Sequence, residues 1–268
     1  MTIKYSDQRV PFRADDRIFL GEGLFETIKI ENHLPLYSKL HWQRMSTSAI
    51  QLKIPFNHAY EAWYELLLQR INDANIQAGG IRIILTSGRA TRGLAVEGDC
   101  PSLLVEPFKY QPLTQALNLV TAPWSRDAVN PIYQFKTVNY LESVLARRHA
   151  LSVKADDALF FNKRRYATET TVANLFVVRQ NKLYTPSLTC GVLPGIIRSR
   201  LFSICSEHAI ELKEDSVSRE FIMNADAVFV TNALQGIRPV KSLDGVVLNI
   251  EHPLLNQLQY LLKCDRQR

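Results

Sequence analysis

Helix and strand patterns alternate from the start of the chain to Tyr110, and this alternation limits the possible folds more than any other feature. Apolar residues at every second position indicate strands, whereas apolar residues three and four positions apart indicate amphipathic helices. We expect Asn32-His33 to form a turn between two strands and Ser38 to cap the helix that follows. In chain order, the pattern predicts a strand within residues 18–30, its return at residues 34–37, helices from Ser38 and over residues 57–74, and strands at residues 80–86 and 102–107.

Pro112 breaks regular structure and marks the passage into a second domain. The sequence therefore predicts a small α/β domain at residues 1–112 and a larger domain at residues 113–268. We expect the irregular segment 122–133 to close over a ligand. The remaining predicted elements are a strand at residues 117–121, a helix within residues 134–150, strands at 158–162, 172–178 and 183–185, a helix at 196–208, a strand at 210–214, a short helix at 218–224 and a strand at 227–231.

Composition describes a globular chain with a mild positive charge. Of the 268 residues, 46% are hydrophobic and 22% are charged, which permits a large core and argues against disorder. The net charge of +6 is spread along the chain and no basic stripe contains interleaved aromatics, so we expect no nucleic-acid binding. A mild positive potential favours small anionic substrates.

The cysteines and the apolar segments indicate the compartment. Cys100, Cys190, Cys205 and Cys264 are widely spaced and form no C-x-x-C pair, so we expect neither a disulfide framework nor a metal site. The N-terminus lacks an apolar signal core, and no uncharged apolar run reaches the length of about 18 residues that a membrane helix needs. We therefore expect a cytoplasmic protein without a membrane segment.

Lys136 precedes a helical pattern in the segment QFKTVNYLESVLARRHA, in which apolar residues recur at Val138, Leu141, Val144 and Leu145. A lysine at the positive end of a helix loses its proton more readily than a free lysine. A lysine that is neutral near physiological pH acts as a nucleophile and as a general base. The alternative reading of Lys136 alone is a solvated lysine in a loop.

Two further segments could bind a cofactor. GVLPGIIRSR places a glycine- and proline-containing turn at a helix start, where the N–H groups of Gly195, Ile196 and Ile197 would favour an anion such as phosphate. Glu169 lies in YATETTVANLFVV at the start of a strand. It could keep a heteroaromatic nitrogen protonated through a charge-assisted hydrogen bond. The alternative for GVLPGIIRSR is an ordinary turn before a helix. The alternative for Glu169 is a residue on an exposed strand edge.

Single polar residues extend this set. Arg44, on a predicted helix, could bind a phosphate group through two parallel hydrogen bonds of its guanidinium. The alternative is an ordinary surface arginine. Asn232 follows a strand in VFVTNALQGIRPV, where polar groups often face a ligand and where Asn also suits a turn. Arg89 and Arg92 in SGRATRG could bind substrate carboxylates or be solvated. Together the candidates are the parts of a pyridoxal phosphate site.

The chain resembles the fold-type IV pyridoxal phosphate enzymes, which include branched-chain and D-amino-acid aminotransferases and aminodeoxychorismate lyases. The matching motifs occur in family order along nearly the whole chain. They are GEGLFETI from Gly21, LHWQRM from Leu40, KTVNYLESVLAR from Lys136, ATETTVANLF from Ala167, GVLPGIIR from Gly191 and VFVTNALQGIRPV from Val228. The resemblance implies a small N-terminal α/β domain, a larger C-terminal mixed-sheet domain and a homodimer.

The resemblance also implies pyridoxal 5'-phosphate as the cofactor and a role for each matched residue. Lys136 would form the Schiff base and move the proton, and Glu169 would bond the pyridine nitrogen. Arg44 and the N–H groups of Ile196 and Ile197 would hold the phosphate. Further cofactor contacts are expected from Leu193, Asn232, Ala233 and Tyr140.

The reaction is expected to be that of a 4-amino-4-deoxychorismate lyase in folate biosynthesis, which forms pyruvate and 4-aminobenzoate by β-elimination. The segments around Asn232 and Arg92 resemble those of the lyases, and Arg92, Arg89 and Asn232 are the expected substrate contacts. A branched-chain or D-amino-acid aminotransferase is the alternative, and two departures from the family pattern bear on the choice of reaction. Ile197 stands where aminotransferases often carry a threonine, and Tyr140 resembles their tyrosine near the lysine. A non-catalytic protein of the same fold is a third hypothesis.

Overall fold

The computed structural model describes residues 2–5 and 13–266 and divides the chain into two compact units. Unit 1 contains Met1–Pro112 and Phe135–Asn139, and unit 2 contains Leu113–Gln134 and Tyr140–Arg268. The predicted domain ranges differ from these units only in Phe135–Asn139.

Phe135–Asn139 belongs to unit 1 because its backbone pairs with the first strand of the motif GEGLFETI. The Phe25 N–H donates to the Lys136 carbonyl at 2.9 Å, and the Val138 N–H donates to the Gly23 carbonyl at 3.0 Å. The segment therefore extends the sheet of unit 1 instead of beginning a helix.

Unit 1 is a five-stranded sheet in the order β1-β5-β4-β2-β3, accompanied by two helices. Trp63, Leu67 and Ile71, at helical spacing, and Ile81 and Ile83, at strand spacing, are all fully buried in one core. The apolar residues that predicted the helix and the strand therefore lie on the faces that form this core. The elements are β1 (Thr2–Tyr5), β2 (Gly23–Glu31), β3 (Leu34–Pro35), α1 (Ser38–Gln51), α2 (Tyr60–Asp73), β4 (Ala78–Thr86) and β5 (Ser102–Lys109).

The start of α1 differs from the sequence prediction. Ser38 is the first helical residue, and Tyr37 precedes it in a left-handed conformation with φ 55° and ψ 28°. The Ser38 hydroxyl is hydrogen-bonded to the Tyr60 hydroxyl at 2.9 Å, so it joins α1 to α2 and does not cap its own helix. The turn at Asn32-His33 has positive φ at both residues, as a tight hairpin requires.

Unit 2 contains nine strands in a mixed sheet, which confirms the predicted fold class. The strand order is β11-β10-β9-β12-β13-β6-β7-β8, with β14 beside β13 and an additional pairing of β8 with β9. The elements are β6 (Leu117–Thr121), α3 (Leu141–Ser152), β7 (Asp157–Phe161), β8 (Ala167–Thr170), β9 (Asn174–Arg179), β10 (Lys182–Pro186), α4 (Ile196–Glu207), β11 (Leu212–Asp215), α5 (Arg219–Met223), β12 (Ala227–Asn232), β13 (Gly236–Leu243), β14 (Val246–Val247) and α6 (Pro253–Asp265).

The additional pairing closes six strands of unit 2 into a ring. Strands β9, β12, β13, β6, β7 and β8 are each paired with the next, and β8 returns to β9 through the residue pair Glu169 and Asn174. The ring closes at the residue that the sequence analysis assigned to the cofactor nitrogen. Strand β9 begins at Asn174, two residues later than the predicted strand 172–178, because residues 171–173 form the bend between β8 and β9.

Strand β1 of unit 1 and elements β13, β14 and α6 of unit 2 were not predicted from the sequence. Strand β13 contains Pro239, and proline is normally excluded from strand interiors. Strand β6 pairs with β13 from Val240 onward, so Pro239 lies at the end of that pairing, where a missing N–H is tolerated. Leu254, Leu258 and Leu262 of α6 have a regular helical spacing and are buried, so this helix could have been predicted. In the part of the chain that the structure describes, no helix is both long enough and apolar enough to span a membrane.

Candidate active site

Lys136 lies in unit 1, and the prediction that it stands at a helix start is wrong. Helix α3 begins at Leu141, and Lys136 occupies an extended segment bonded to β2. A helix dipole acts only near the terminal turn, so it does not explain the reactivity proposed for this lysine. The lysine is instead half-buried, and its Nζ atom lies 4.3 Å from the centroid of the Phe25 ring.

Arg44 in α1 is bound by a buried carboxylate of β2. The Nε and a terminal nitrogen of Arg44 donate to the two oxygens of Glu26 at 2.8 and 2.6 Å. Glu26 is 1% exposed, and its second oxygen also lies 2.6 Å from Nδ1 of His41, which is fully buried. The bidentate pair fixes the plane of the guanidinium and therefore the direction in which Arg44 presents its remaining nitrogen.

Charge pairing determines the protonation of this cluster. Burial alone raises the pKa of Glu26, but the Arg44 guanidinium and His41 outweigh it and lower that pKa to about 2. Burial also lowers the pKa of His41, against the attraction of Glu26. Glu26 is therefore ionised and His41 neutral near neutral pH, so Arg44 is paired with a full negative charge.

Arg89 and Arg92 lie on the exposed loop after β4 and line an open cavity of about 960 Å³ within unit 1. The backbone of Arg89 is fixed by reciprocal hydrogen bonds with Asp99 at 2.9 and 2.8 Å. Arg17 lines the same cavity but is buried and ion-paired with Glu22. Arg13 also lines the cavity; its side chain is 67% exposed and lies 3.4 Å from the Asp15 carboxylate. Arg89 and Arg92 are thus exposed cations of this cavity that could bind an anionic group.

Glu169 lies in unit 2, and its carboxylate accepts hydrogen bonds from three N–H donors. Arg126 donates to one oxygen at 3.0 Å, and the Asn174 amide and the Leu193 backbone N–H donate to the other, each at 3.2 Å. Hydrogen bonds from N–H donors such as these stabilise the negative charge of a carboxylate. The Glu169 side chain remains 13% exposed.

Asn174 connects Glu169 to the turn before α4. Its amide also donates to the Leu193 carbonyl at 2.9 Å. A Cβ atom at Gly195 would lie 1.9 Å from the Asn174 side-chain oxygen, so a larger residue there would displace the Asn174 amide. Gly195 is the N-cap of α4, and the first N–H groups of the helix, including those of Ile196 and Ile197, have no partner within the helix.

The other predicted contacts lie in unit 2. Asn232 ends β12, and its side-chain oxygen accepts from the Gln235 N–H at 2.9 Å, so this oxygen forms the turn to β13. Ala233 follows in that turn and is half-buried, and Tyr140 is half-buried directly before α3.

Several residues of these clusters were missed by the sequence analysis. Glu26 has a sequence signal, because a carboxylate within an apolar strand must be paired when it is buried. Arg126 has none, although it is 4% exposed, bonds Glu142 and Glu169, and lies 3.7 Å from the centre of the Phe160 ring. Asn174 could be recognised only once the β8–β9 pairing was known.

We predict that the buried pair makes the protein sensitive to acid. The folded-state pKa of Glu26 lies below its ordinary value of 4.5, so its stabilising contribution is complete above that pH and is lost as the pH falls toward 2. Glu26→Gln should lower the free energy of unfolding by about 3 kcal/mol at pH 7. This difference should shrink by about 2 kcal/mol at pH 3, as measured by urea unfolding.

Glu97→Gln is the matched control, because the ion pair of Glu97 with Lys53 is exposed. It should show no such change with pH. An equal destabilisation by Glu26→Gln at both pH values would contradict the assigned charge state.

Comparisons with known proteins agree with the fold and with the motifs. The family model described as amino-transferase class IV matches residues 23–243. A crystal structure from Legionella pneumophila, of a protein provisionally named 4-amino-4-deoxychorismate lyase, is 47% identical, with 99% of this chain and 100% of that chain covered and a TM-score of 0.95.

More distant relatives include both reaction types. The 4-amino-4-deoxychorismate lyase of Pseudomonas aeruginosa is 25% identical, with 96% of each chain covered and a TM-score of 0.85. The D-alanine aminotransferase of Bacillus licheniformis is 29% identical over 236 residues, which are 87% of this chain and 83% of that protein. Because the family model spans most of the sequence and the relatives align along most of their length, this chain belongs to the class IV aminotransferase family of fold-type IV pyridoxal phosphate enzymes.

Proposed function

We propose that this enzyme is a 4-amino-4-deoxychorismate lyase that forms pyruvate and 4-aminobenzoate for folate synthesis. The observation that carries the proposal is the 47% identity to the Legionella pneumophila protein of that name over essentially the whole of both chains. The D-alanine aminotransferase of Bacillus licheniformis is 29% identical. The lyase-like segments around Arg92 and Asn232 support the same choice.

The residues of unit 2 fit the proposed cofactor. Glu169 offers a partly exposed carboxylate that could accept a further hydrogen bond from a protonated ring nitrogen. The glycine at position 195 and the N–H groups that begin α4 fit a phosphate group. When bound, pyridoxal phosphate supplies an electron-accepting ring that stabilises negative charge on the substrate carbon.

We assign the proton transfer to Lys136. Its amine would bind the cofactor covalently and, once released by substrate, would remove the proton from the amine-bearing carbon of the substrate. Packing of Nζ near the Phe25 ring, together with half-burial, restricts the directions that the amine can take. Elimination at the neighbouring carbon then releases pyruvate, and aromatisation of the remaining ring favours the forward reaction.

Binding roles follow for the cationic residues. We assign Arg44 to the cofactor phosphate together with the N–H groups of Ile196 and Ile197, because Glu26 orients the guanidinium. Leu193, Asn232, Ala233 and Tyr140 are the further proposed cofactor contacts. The substrate is a small anion, and Arg92 and Arg89 are proposed to bind its carboxylates because they line an open cavity. Asn232 is a third proposed substrate contact.

An aminotransferase is the second candidate. It is supported by the relationship to the D-alanine aminotransferase. Tyr140 also supports it, because this residue resembles the tyrosine that aminotransferases carry near the lysine. The same lysine would then move a proton between two atoms without elimination. Both candidates use the same cofactor, so only the reaction separates them.

The lyase proposal predicts a defined product. Purified enzyme incubated with aminodeoxychorismate should form pyruvate and 4-aminobenzoate in equal amounts, measured by a lactate dehydrogenase assay and by chromatography. Added D-alanine or leucine should leave the visible absorbance of the enzyme unchanged. Loss of that absorbance with either amino acid, without pyruvate from aminodeoxychorismate, would identify an aminotransferase instead.

The lysine assignment predicts a spectroscopic change. Lys136→Ala should abolish the visible band of the bound cofactor and lower the turnover number by at least about a thousandfold, since the residue is both attachment point and base. Lys154→Ala, in the exposed turn that follows α3, is the control and should change neither. A variant at position 136 that keeps its band and its activity would rule out this role. An uncoloured wild-type protein would favour the non-catalytic alternative.

We also propose a homodimer in the cytoplasm. The family resemblance implies the dimer, and Leu141, Leu145 and Leu151 leave an apolar face of α3 exposed. Buried free thiols at Cys190 and Cys205 are consistent with a reducing compartment. Sedimentation velocity should give twice the mass of one chain, and a monomer at micromolar concentration would contradict the dimer. Cell fractionation tests the location.

A further inference from the structure

Thr231 carries a buried hydroxyl without a hydrogen-bond partner among the described residues. The residue is 2% exposed, and its Oγ1 atom has no hydrogen-bond partner within the part of the chain that the structure describes. Buried hydroxyl groups are nearly always paired, because removal from water without a replacement bond is costly. The other buried threonines of unit 2 obey this rule; the hydroxyl of Thr185, for example, donates to the Leu175 carbonyl at 2.7 Å.

The sheet register places this hydroxyl beside the turn before α4. Thr231 of β12 is directly opposite Asn174 of β9, and opposed residues direct their side chains to the same face. The Asn174 side chain bonds the Leu193 carbonyl, and a Cβ atom at Gly195 would meet its oxygen. The face that Thr231 shares with Asn174 therefore adjoins the N-terminus of α4.

The first turn of α4 lacks a side-chain hydroxyl of its own. Its residues are Ile196, Ile197 and Arg198, and the Arg198 guanidinium is directed away toward the Pro186 carbonyl and Glu214. An anion at this helix end would find backbone N–H groups but no side-chain hydroxyl among the first three residues of the helix. The unpaired hydroxyl of Thr231 lies on the neighbouring strand β12, on the face that adjoins this helix end.

We propose that the Thr231 hydroxyl donates a hydrogen bond to the phosphate group of the cofactor at the N-terminus of α4. The inference rests on the proposed function, since it requires pyridoxal phosphate as the ligand. Thr231 is then a phosphate-binding residue whose hydroxyl stays unpaired until the cofactor binds. The unpaired hydroxyl therefore lowers the stability of the cofactor-free protein and raises its affinity for the cofactor.

This double effect gives a test with two readouts. Thr231→Val removes the hydroxyl and keeps the shape of the side chain. In the full-length protein it should raise the dissociation constant of pyridoxal phosphate by about ten- to a hundredfold, the value of a hydrogen bond to a charged group. The dissociation constant of pyridoxal, which has no phosphate, should not change. The melting temperature of the cofactor-free protein should stay the same or rise.

Two matched variants complete the experiment. Thr231→Ser retains the hydroxyl and should bind pyridoxal phosphate nearly as the wild type does. Thr185→Val removes a hydroxyl that is bonded within the fold. It should lower the melting temperature of the cofactor-free protein and leave the dissociation constant of the cofactor unchanged. Fluorescence titration and differential scanning fluorimetry provide the two measurements.

The outcomes separate this inference from the proposed function. Wild-type affinity in Thr231→Val, or an equal loss of affinity for pyridoxal and pyridoxal phosphate, would overturn the phosphate contact alone. A melting temperature that falls as it does in Thr185→Val would show that the hydroxyl is bonded in the free protein, which also overturns it. Failure of the wild-type protein to bind pyridoxal phosphate would overturn the proposed function itself.

Discussion

The pairing of Glu169 with Asn174 is the contact on which the arrangement of unit 2 depends. This one residue pair returns β8 to β9 and so closes six strands into a ring. The same Asn174 side chain bonds Glu169 and the Leu193 carbonyl. Ring closure, the orientation of the carboxylate and the position of the turn before α4 are therefore coupled. A displacement of Asn174 would change all three, which makes it a positioning residue of the proposed site.

In unit 1 a buried ion pair orients a side chain of the proposed site. A carboxylate that is 1% exposed, as Glu26 is, would be strongly destabilising without a partner. Arg44 and His41 supply the partners, and the pairing holds the guanidinium in one orientation. A buried ion pair adds little net stability compared with apolar packing, so its value lies in geometry. An arginine held in this way loses less side-chain freedom when it binds an anion, and that favours its proposed role in phosphate binding.

Sequence patterns predicted most of the helices and strands because burial and periodicity coincide. Trp63, Leu67 and Ile71 are buried at the spacing that predicted α2. Periodicity gave no information about pairing, so neither the closure of the ring nor the attachment of residues 135–139 to β2 could be predicted. For the same reason, periodicity could not show that Lys136 lies in an extended segment and not at a helix start. The Lys136 carbonyl accepts from the Phe25 N–H, and the Val138 N–H donates to the Gly23 carbonyl, so the conformation depends on residues that are distant in sequence.

The candidate site was predictable in its chemistry and not in its supporting contacts. Lys136, Glu169 and Arg44 belong to residue types that a pyridoxal phosphate enzyme requires, and ordered motifs identified them. Arg126 and Asn174 act through contacts that form only in the folded chain. The role proposed for Thr231 likewise depends on a strand register that the sequence does not show. In both proposed reactions Lys136 would remove the same proton, and the outcome would depend on which bond of the substrate is aligned with the electron-accepting ring. Contacts to the substrate would set that alignment, so the choice between elimination and transamination would rest on the proposed substrate contacts, such as Arg89 and Arg92, and less on the lysine.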